Sequence, residues 1–227
     1  MKQKLRIAGK PISLFTVDGP APIVYLHSFM PNWDMVWHVC QQQDCPPFSL
    51  AIISGLKWDD EMTPWPIPPI APGDTPCGGT ADTYLKTLTD EILPAVESRL
   101  SAPPTWRGLA GYSLSGLFSL YAPFQTDRFD RVASASGSVW YPNFTDWVTA
   151  HQMVRAPECV YLSLGDREAR TRNPYLMPVQ DRTEWMRDYY KNQNIPCVFE
   201  LNPGNHDRQA TGRMAKGITW IVSQQKS

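Results

Sequence analysis

Short apolar runs alternate with stretches of helical spacing along nearly the whole chain, and few arrangements bury both kinds of surface. Residues 5–8 and 12–17 flank the turn Gly9-Lys10-Pro11 and read as a hairpin. Residues 23–27 follow the turn Asp18-Gly19-Pro20 as a third strand, and the continuous apolar run at 49–54 makes a fourth, buried on both faces. Further strands are expected at 106–110, 131–136, 160–164 and 197–201. Helices are expected at 33–43, 114–124, 180–193 and 208–224. One more runs from a cap at Thr80 to Leu100, with Leu85, Leu88, Ile92 and Val96 at core spacing. Strands linked through helices imply an α/β fold, a mostly parallel sheet with helices on both faces and the opening hairpin as an antiparallel edge. With 227 residues the chain has the length of a single domain, 1–227.

Charge and composition remove several function classes. The 21 basic and 22 acidic side chains leave a net charge of −1, with no basic stripe for a phosphate backbone, so nucleic acid is not an expected partner. No apolar stretch is long enough for a membrane span, and no signal-peptide core precedes Gly9. Cys40, Cys45, Cys77, Cys159 and Cys197 are odd in number and lack a C-x-x-C pair, which reads as free thiols in a reducing cytoplasm. On that reading the sequon at Asn143 is a chance match.

The segment Leu109-Ala-Gly-Tyr-Ser-Leu-Ser-Gly-Leu117 carries the sharpest chemical signal. A buried strand runs into it and a helix leaves immediately after Ser113, the setting of a nucleophile elbow. Such a turn presses backbone against backbone, so it needs small residues two before and two after the nucleophile. Gly111 and Ser115 meet that need around Ser113, whereas a nucleophile at Ser115 would be flanked by bulky Leu117.

A serine nucleophile requires a base, and the histidines are His27, His38, His151 and His206. His206 lies in a loop past the last strand, at the carboxyl edge where ligands bind in such sheets, and it follows the serine in the order this chemistry uses. His38 and His151 fall in or at the end of helices, and His27 precedes the serine. The acid belongs after strand 160–164, at Gly165-Asp-Arg-Glu168. Glu168 has the longer reach and is preferred, with Asp166 as the alternative that would otherwise brace the turn. The oxyanion hole would take the N–H of Leu114 and one from the loop after the third strand, from Ser28 or Phe29.

Proline numbers 22 and tryptophan 9, and six of the prolines lie between Pro64 and Pro76 in the irregular segment 58–79. Loops of that length serve as functional covers or are disordered, and the accompanying aromatics favour an ordered cover beside Ser113. Trp58, Trp65, Trp140 and Tyr141 are the candidate pocket residues, with core packing as the competing role for the last two. There is no dinucleotide or phosphate loop, no H-E-x-x-H and no Cys/His set at metal spacing, so neither cofactor nor metal is expected. The S-x-x-K match at Ser54 lacks its companion motifs, and Cys77 has no histidine placed to activate it.

Several segments together resemble the putative-esterase branch of the α/β-hydrolases, close to trilactone siderophore esterases and more distantly S-formylglutathione hydrolase. They are Thr63-Pro-Trp65, Gly111-Tyr-Ser-Leu-Ser-Gly-Leu-Phe118, Ser134-Ala-Ser-Gly-Ser-Val-Trp-Tyr141, Leu164-Gly-Asp-Arg-Glu168, Gly204-Asn-His206 and Ala215-Lys-Gly-Ile-Thr-Trp220. The resemblance runs from about Leu14 to Ile221 and implies hydrolysis of a small-molecule carboxylic ester through an acyl-enzyme, with Ser113 as nucleophile and His206 as base. The chain departs from the family in having Ser115 where glycine is usual. It also has Asp59-Asp-Glu-Met62 where siderophore esterases tend to carry an arginine for an anionic catecholate. Arg167, Arg170 and Arg172 are the residues that would restore an anion site, against the plainer role of a solvated loop. A thioesterase or acyltransferase using the same three residues, and a non-catalytic binding protein, are the competing functions.

Overall fold

The computed structural model describes residues 1–31 and 33–225. Eight strands form one sheet in the order β1-β2-β4-β3-β5-β6-β7-β8, namely β1 Lys2–Ile7, β2 Lys10–Phe15, β3 Ile23–His27, β4 Ser49–Ile53, β5 Arg107–Tyr112, β6 Arg131–Ala135, β7 Cys159–Gly165 and β8 Cys197–Asn202. β1 pairs antiparallel with β2 and β2 with β4, and every later pairing is parallel. The opening hairpin turns at Ala8-Gly9, not at Gly9-Lys10-Pro11. Both turn residues have positive φ (48° and 75°), the geometry that matches strand twist, and Pro11 lies within β2 opposite Arg6.

The helices are α1 Met35–Gln42, α2 Trp58–Glu61, α3 Ala81–Thr87, α4 Leu93–Glu97, α5 Leu114–Tyr121, α6 Phe144–Ala150, α7 Val179–Asn192 and α8 Ala210–Ser223. Two buried clusters divide the sheet's faces. Val36, Cys40, Met214, Ile218 and Ile221 place α1 and α8 on one face, and Tyr84, Leu85, Leu117, Phe118, Met186 and Tyr190 place α3, α5 and α7 on the other. The helix expected from Thr80 to Leu100 ends at Glu97, with a π-helical turn over Leu88–Ile92 between α3 and α4. Pro94 accounts for that turn, since it has no N–H to give and its ring crowds the carbonyl four residues back. Thr80 opens α3 through its backbone alone, accepting from Tyr84 N–H and donating to Asp60, with no side-chain cap bond. The short helices α2 and α6 lie outside the expected ones; α6 has Phe144, Trp147 and Val148 at helical spacing, but at seven residues it is too short to stand out from the irregular sequence around it.

The chain reverses its direction of growth across the sheet between β3 and β5, which are hydrogen-bonded neighbours with intervening β4 on the other side. The carboxyl ends of β3 and β5 therefore open a crevice, the usual ligand position in open α/β sheets. Closing the β5–α5 turn there demands missing side chains. A Cβ on Gly111 would sit 2.1 Å from the Ser115 carbonyl oxygen, and one on Gly116 would sit 2.8 Å from Gly137 Cα. Gly116→Ala should therefore lower the unfolding free energy by about 1–3 kcal/mol in urea titration, because backbone as well as the Ser134 hydroxyl must give way.

Candidate active site

Ser113 sits between β5 and α5 at φ 60° and ψ −125°, a conformation most residues avoid. Three backbone bonds hold it there: Ser113 N–H donates to Ala135 (3.2 Å), and its carbonyl accepts from Leu117 (3.1 Å) and Ser138 (3.0 Å). Ser115 is fully buried and serves the turn. Its Oγ accepts from Tyr112 N–H at 2.8 Å and lies 2.8 Å from the Tyr112 carbonyl and 3.1 Å from that of His27. The hydroxyl in place of a second elbow glycine thus ties the end of β3 to the elbow.

His206, on the loop between β8 and α8, meets Glu168 through Nδ1 to Oε2 at 2.8 Å. The carboxylate accepts a hydrogen bond from the Nδ1–H, which leaves Nε2 as the basic nitrogen, and His206 and Ser113 line the same cleft. Glu168 is almost wholly buried. Its other oxygen accepts from Gly165 N–H (2.6 Å), Ser136 hydroxyl (2.7 Å) and Arg213 (3.1 Å). Burial alone would raise its pKa, but the hydrogen bonds from His206, Ser136 and Gly165 hold the carboxyl below its ordinary range. Asp166 is engaged elsewhere. Its Oδ1 accepts from Gly204 N–H at 2.8 Å and braces the β8 loop, away from the imidazole.

Arg213, Ser136 and Tyr112 complete this constellation, and none of them is among the site residues expected from the sequence; the one local signal for Arg213 is its place on the inward face of α8, four residues before Gly217 and eight before Ile221. Arg213 is buried on α8 and reaches Glu168, Ser136 (3.1 Å) and the Tyr112 hydroxyl (3.3 Å), while its second amino group reaches the carbonyls of Asn205 (3.0 Å) and Pro203 (3.3 Å). Tyr112 donates to the His206 carbonyl at 2.5 Å, and burial raises its pKa so the phenol keeps that proton. Glu168 and Tyr112 lie 45 and 101 residues from Arg213 in sequence, so only the folded sheet joins them.

A family model described as putative esterase matches residues 11–211. The chain belongs to the putative esterase family. Carboxylic ester hydrolysis is accordingly its chemistry. The chain is 25% identical over 229 residues to the uncharacterized protein YbbA of Bacillus subtilis, covering 96% of this chain and 92% of that one. Its fold is similar to an IroE-like serine hydrolase from Shewanella oneidensis, with TM-score 0.81, 15% identity, and 97% and 79% of the two chains covered. It is also similar to the siderophore hydrolase EstA from Aspergillus nidulans, with TM-score 0.73, 18% identity, and 98% and 93% covered. The enterobactin esterase FES from Shigella flexneri gives TM-score 0.71 at 18% identity, covering 97% of this chain and 58% of that one. At these identities the three solved structures establish a shared fold.

In this esterase the two candidate oxyanion donors after β3 separate cleanly. Ser28 N–H is committed to the Ile53 carbonyl at 2.8 Å and the Ser28 hydroxyl is turned to Met30, whereas the backbone bonds among the described residues give Phe29 N–H and Leu114 N–H no acceptor. The four pocket candidates also divide. Trp58 and Trp140 line cavities that reach Ser113. Trp65 and Tyr141 do not; they pack together, Trp65 Nε1 donating to the Pro142 carbonyl (3.1 Å) and Tyr141 donating to the Trp65 carbonyl, and so anchor the 58–79 loop. The reason is geometric, since Trp65 inserts toward Phe144 and Trp147 while Trp58 faces Phe29 at the cleft. The loop itself is ordered by α2, by the bridge pairing Ile67 with Cys77, and by Gly79, where any side chain would collide with the Trp65 backbone. Arg167, Arg170 and Arg172 line none of the cavities at Ser113. Among the described residues there is no group of side chains that could hold a metal ion, and no helix long and apolar enough to cross a membrane.

His27, at the end of β3, is fully buried with Nε2 2.8 Å from the Tyr84 hydroxyl and, among the described residues, no partner for Nδ1. Burial first, and the Lys10 charge second, lower its pKa to about 3, so it stays neutral in the folded esterase. The unfolded chain takes up that proton below pH 6.5, hence the stability His27 confers is complete above 6.5 and declines as pH falls toward 3. Between pH 7 and pH 5 the loss is about 2 kcal/mol. Urea unfolding of wild type and His27→Gln at pH 7 and pH 5 should show the wild-type advantage shrinking by about that amount at the lower pH.

Proposed function

We propose that the protein hydrolyses small-molecule carboxylic esters through an acyl-enzyme, with Ser113 as nucleophile, His206 as general base and acid, and Glu168 as the carboxylate that orients the imidazole. The reading rests on the 2.8 Å contact between His206 Nδ1 and a buried Glu168 carboxylate beside a serine held in an elbow conformation. His206 Nε2 takes the hydroxyl proton as Ser113 Oγ attacks the ester carbonyl. The carbonyl oxygen gains negative charge at the amino terminus of α5, where the N–H groups of Leu114 and Phe29 are the proposed donors. The imidazolium, stabilised by Glu168, passes its proton to the departing alcohol. Water, activated by the same imidazole, then releases the acid and restores the serine. The chain acts as one α/β-hydrolase unit, and its five unpaired thiols, with Cys40, Cys159 and Cys197 pushed up by burial to about 12, suit a reducing cytoplasm.

Arg213 has a positioning role in this scheme. One guanidinium holds both the carboxylate and two carbonyls of the loop that carries His206, so it fixes the distance between acid and base.

Ser113→Ala and His206→Ala should each lower kcat on p-nitrophenyl butyrate by on the order of 10⁴-fold or more, and Ser113→Ala should abolish labelling by a fluorophosphonate probe. Glu168→Gln should cost on the order of 10³–10⁴-fold in kcat, with Asp166→Asn within about 5-fold of wild type. The reverse order of those two would transfer the acid's role to Asp166. Arg213→Lys should lower kcat by about 10-fold with KM little changed, since a point charge cannot span the carboxylate and both carbonyls.

A further inference from the structure

Three cavities converge on Ser113, and their linings share one property. The largest of them, of about 810 Å³, includes Phe29, Met30, Trp33 and Trp58 with Asp59 and Asp207. The smallest, about 250 Å³, includes Trp140 and Leu176 with Glu168. The third, about 460 Å³, lies under the 58–79 loop, walled by Trp58, Trp140, Pro68 and Ile70 with Asp59 and Asp74. Among the described residues, no lysine or arginine lines any of the three. The chain as a whole carries a net charge of only −1, so the negative character belongs to the cleft and not to the protein at large.

Lys10, Arg182 and Arg213, on elements around the cavities, are turned to other partners. Lys10 is buried against Glu61 at 2.6 Å beneath α2, and Arg182 donates to the Trp140 carbonyl, behind the indole that faces the cavity. Arg213 lies against Glu168. Lys57 and Arg208 flank lining residues in sequence but are absent from the lining. Asp59 is held in place, its Oδ2 accepting from the Thr75 hydroxyl at 2.6 Å, so one carboxylate is fixed beside the indole of its chain neighbour Trp58.

Indole faces attract a positive charge through the ring quadrupole, and an adjoining carboxylate in a partly closed cavity adds to that attraction. An anion entering the same cavity meets repulsion with no counter-charge. We infer that the cavity under the 58–79 loop binds a cationic group, and that the favoured substrates are esters bearing an ammonium group on the part of the molecule that does not react. This rests on the ester-hydrolase reading of Ser113 and adds the charge of its substrate.

Two measurements test it. The first is binding to Ser113→Ala protein, followed by tryptophan fluorescence, of choline against its uncharged isostere 3,3-dimethylbutanol. The second is kcat/KM of the wild type, at low ionic strength, on butyrate esters of choline, 3,3-dimethylbutanol and the anionic 4-hydroxybutanoate. Choline should bind about 10-fold more tightly than the isostere, and the esters should follow the order cationic, neutral, anionic. Asp74→Asn and Asp59→Asn should each move the cation-to-neutral ratio toward one, and about 0.5 M salt should do the same. Asp59→Asn also alters the bond to Thr75, whereas Asp74→Asn removes a charge at an exposed position of the loop and keeps the test independent of folding at Asp59. Equal binding of choline and its isostere, or a ratio untouched by both variants, overturns the inference whatever the turnover. Selective choline binding with no turnover of any of the three esters would leave the cationic pocket standing and remove the ester-hydrolase reading instead.

Discussion

The turn at Ser113 is a strained conformation that costs about 1–3 kcal/mol by itself, and the surrounding structure exists in a form that prevents its relaxation. β5 enters it from the middle of the sheet and the wholly buried α5 leaves it, so neither side can move to release φ. Gly111 and Gly116 remove the side chains that would keep strand and helix apart, and Ala135, Leu117 and Ser138 pin the serine's own backbone groups. The result is a serine held at the start of a helix, with the N–H of Leu114 beside it. In the proposed mechanism, setting a nucleophile next to unsatisfied donors is the chemical use of the strain.

A second constraint ties the remaining side chains to the first. Glu168 and His206 arrive on different loops, after β7 and β8, and two loops would not keep a 2.8 Å contact unaided. A charge buried as deeply as Glu168 would be expensive without partners, and those that satisfy it are spread over the site: Gly165 from its own turn, Ser136 from the end of β6, Arg213 from α8. Arg213 also binds two carbonyls of the His206 loop, and Tyr112, from the elbow, binds a third. The network that neutralises the carboxylate is therefore the same network that sets where the imidazole stands relative to the serine.

Much of this is legible in the sequence, for reasons that can be located. Apolar runs separated by helical spacing require a mostly parallel sheet, and the small residues at 111, 115 and 116 mark the elbow because a tight turn has no other way to form. Reach alone favours Glu168 over Asp166, and Glu168 is the one that meets His206, while Asp166 takes the turn-bracing bond to Gly204. Residues whose partners lie far along the chain stay hidden. Arg213 lies on the inward face of α8, four and eight residues before Gly217 and Ile221, so helical spacing shows that it points inward but not that it meets Glu168 and the His206 loop. Trp65 and Trp58 look equivalent in a loop without periodicity, since only the periodic elements tell which way a side chain faces.

That loop shows how composition turns into a fixed wall beside Ser113. Six prolines limit the backbone of residues 64–76, so the segment loses less entropy on ordering than a flexible loop would. Trp65 then locks it by inserting between Tyr141, Phe144 and Trp147. With the loop fixed, α2 presents Trp58 and Asp59 to the cleft in a constant arrangement, and Gly78 packs against the Asp60 side chain. A wall built this way is held against the core by its own aromatic anchor and not by the ligand. In the proposed reading its charge and its aromatic side chains are imposed on the ligand, and the same proposed chemistry at Ser113 behind a different loop would select a different molecule.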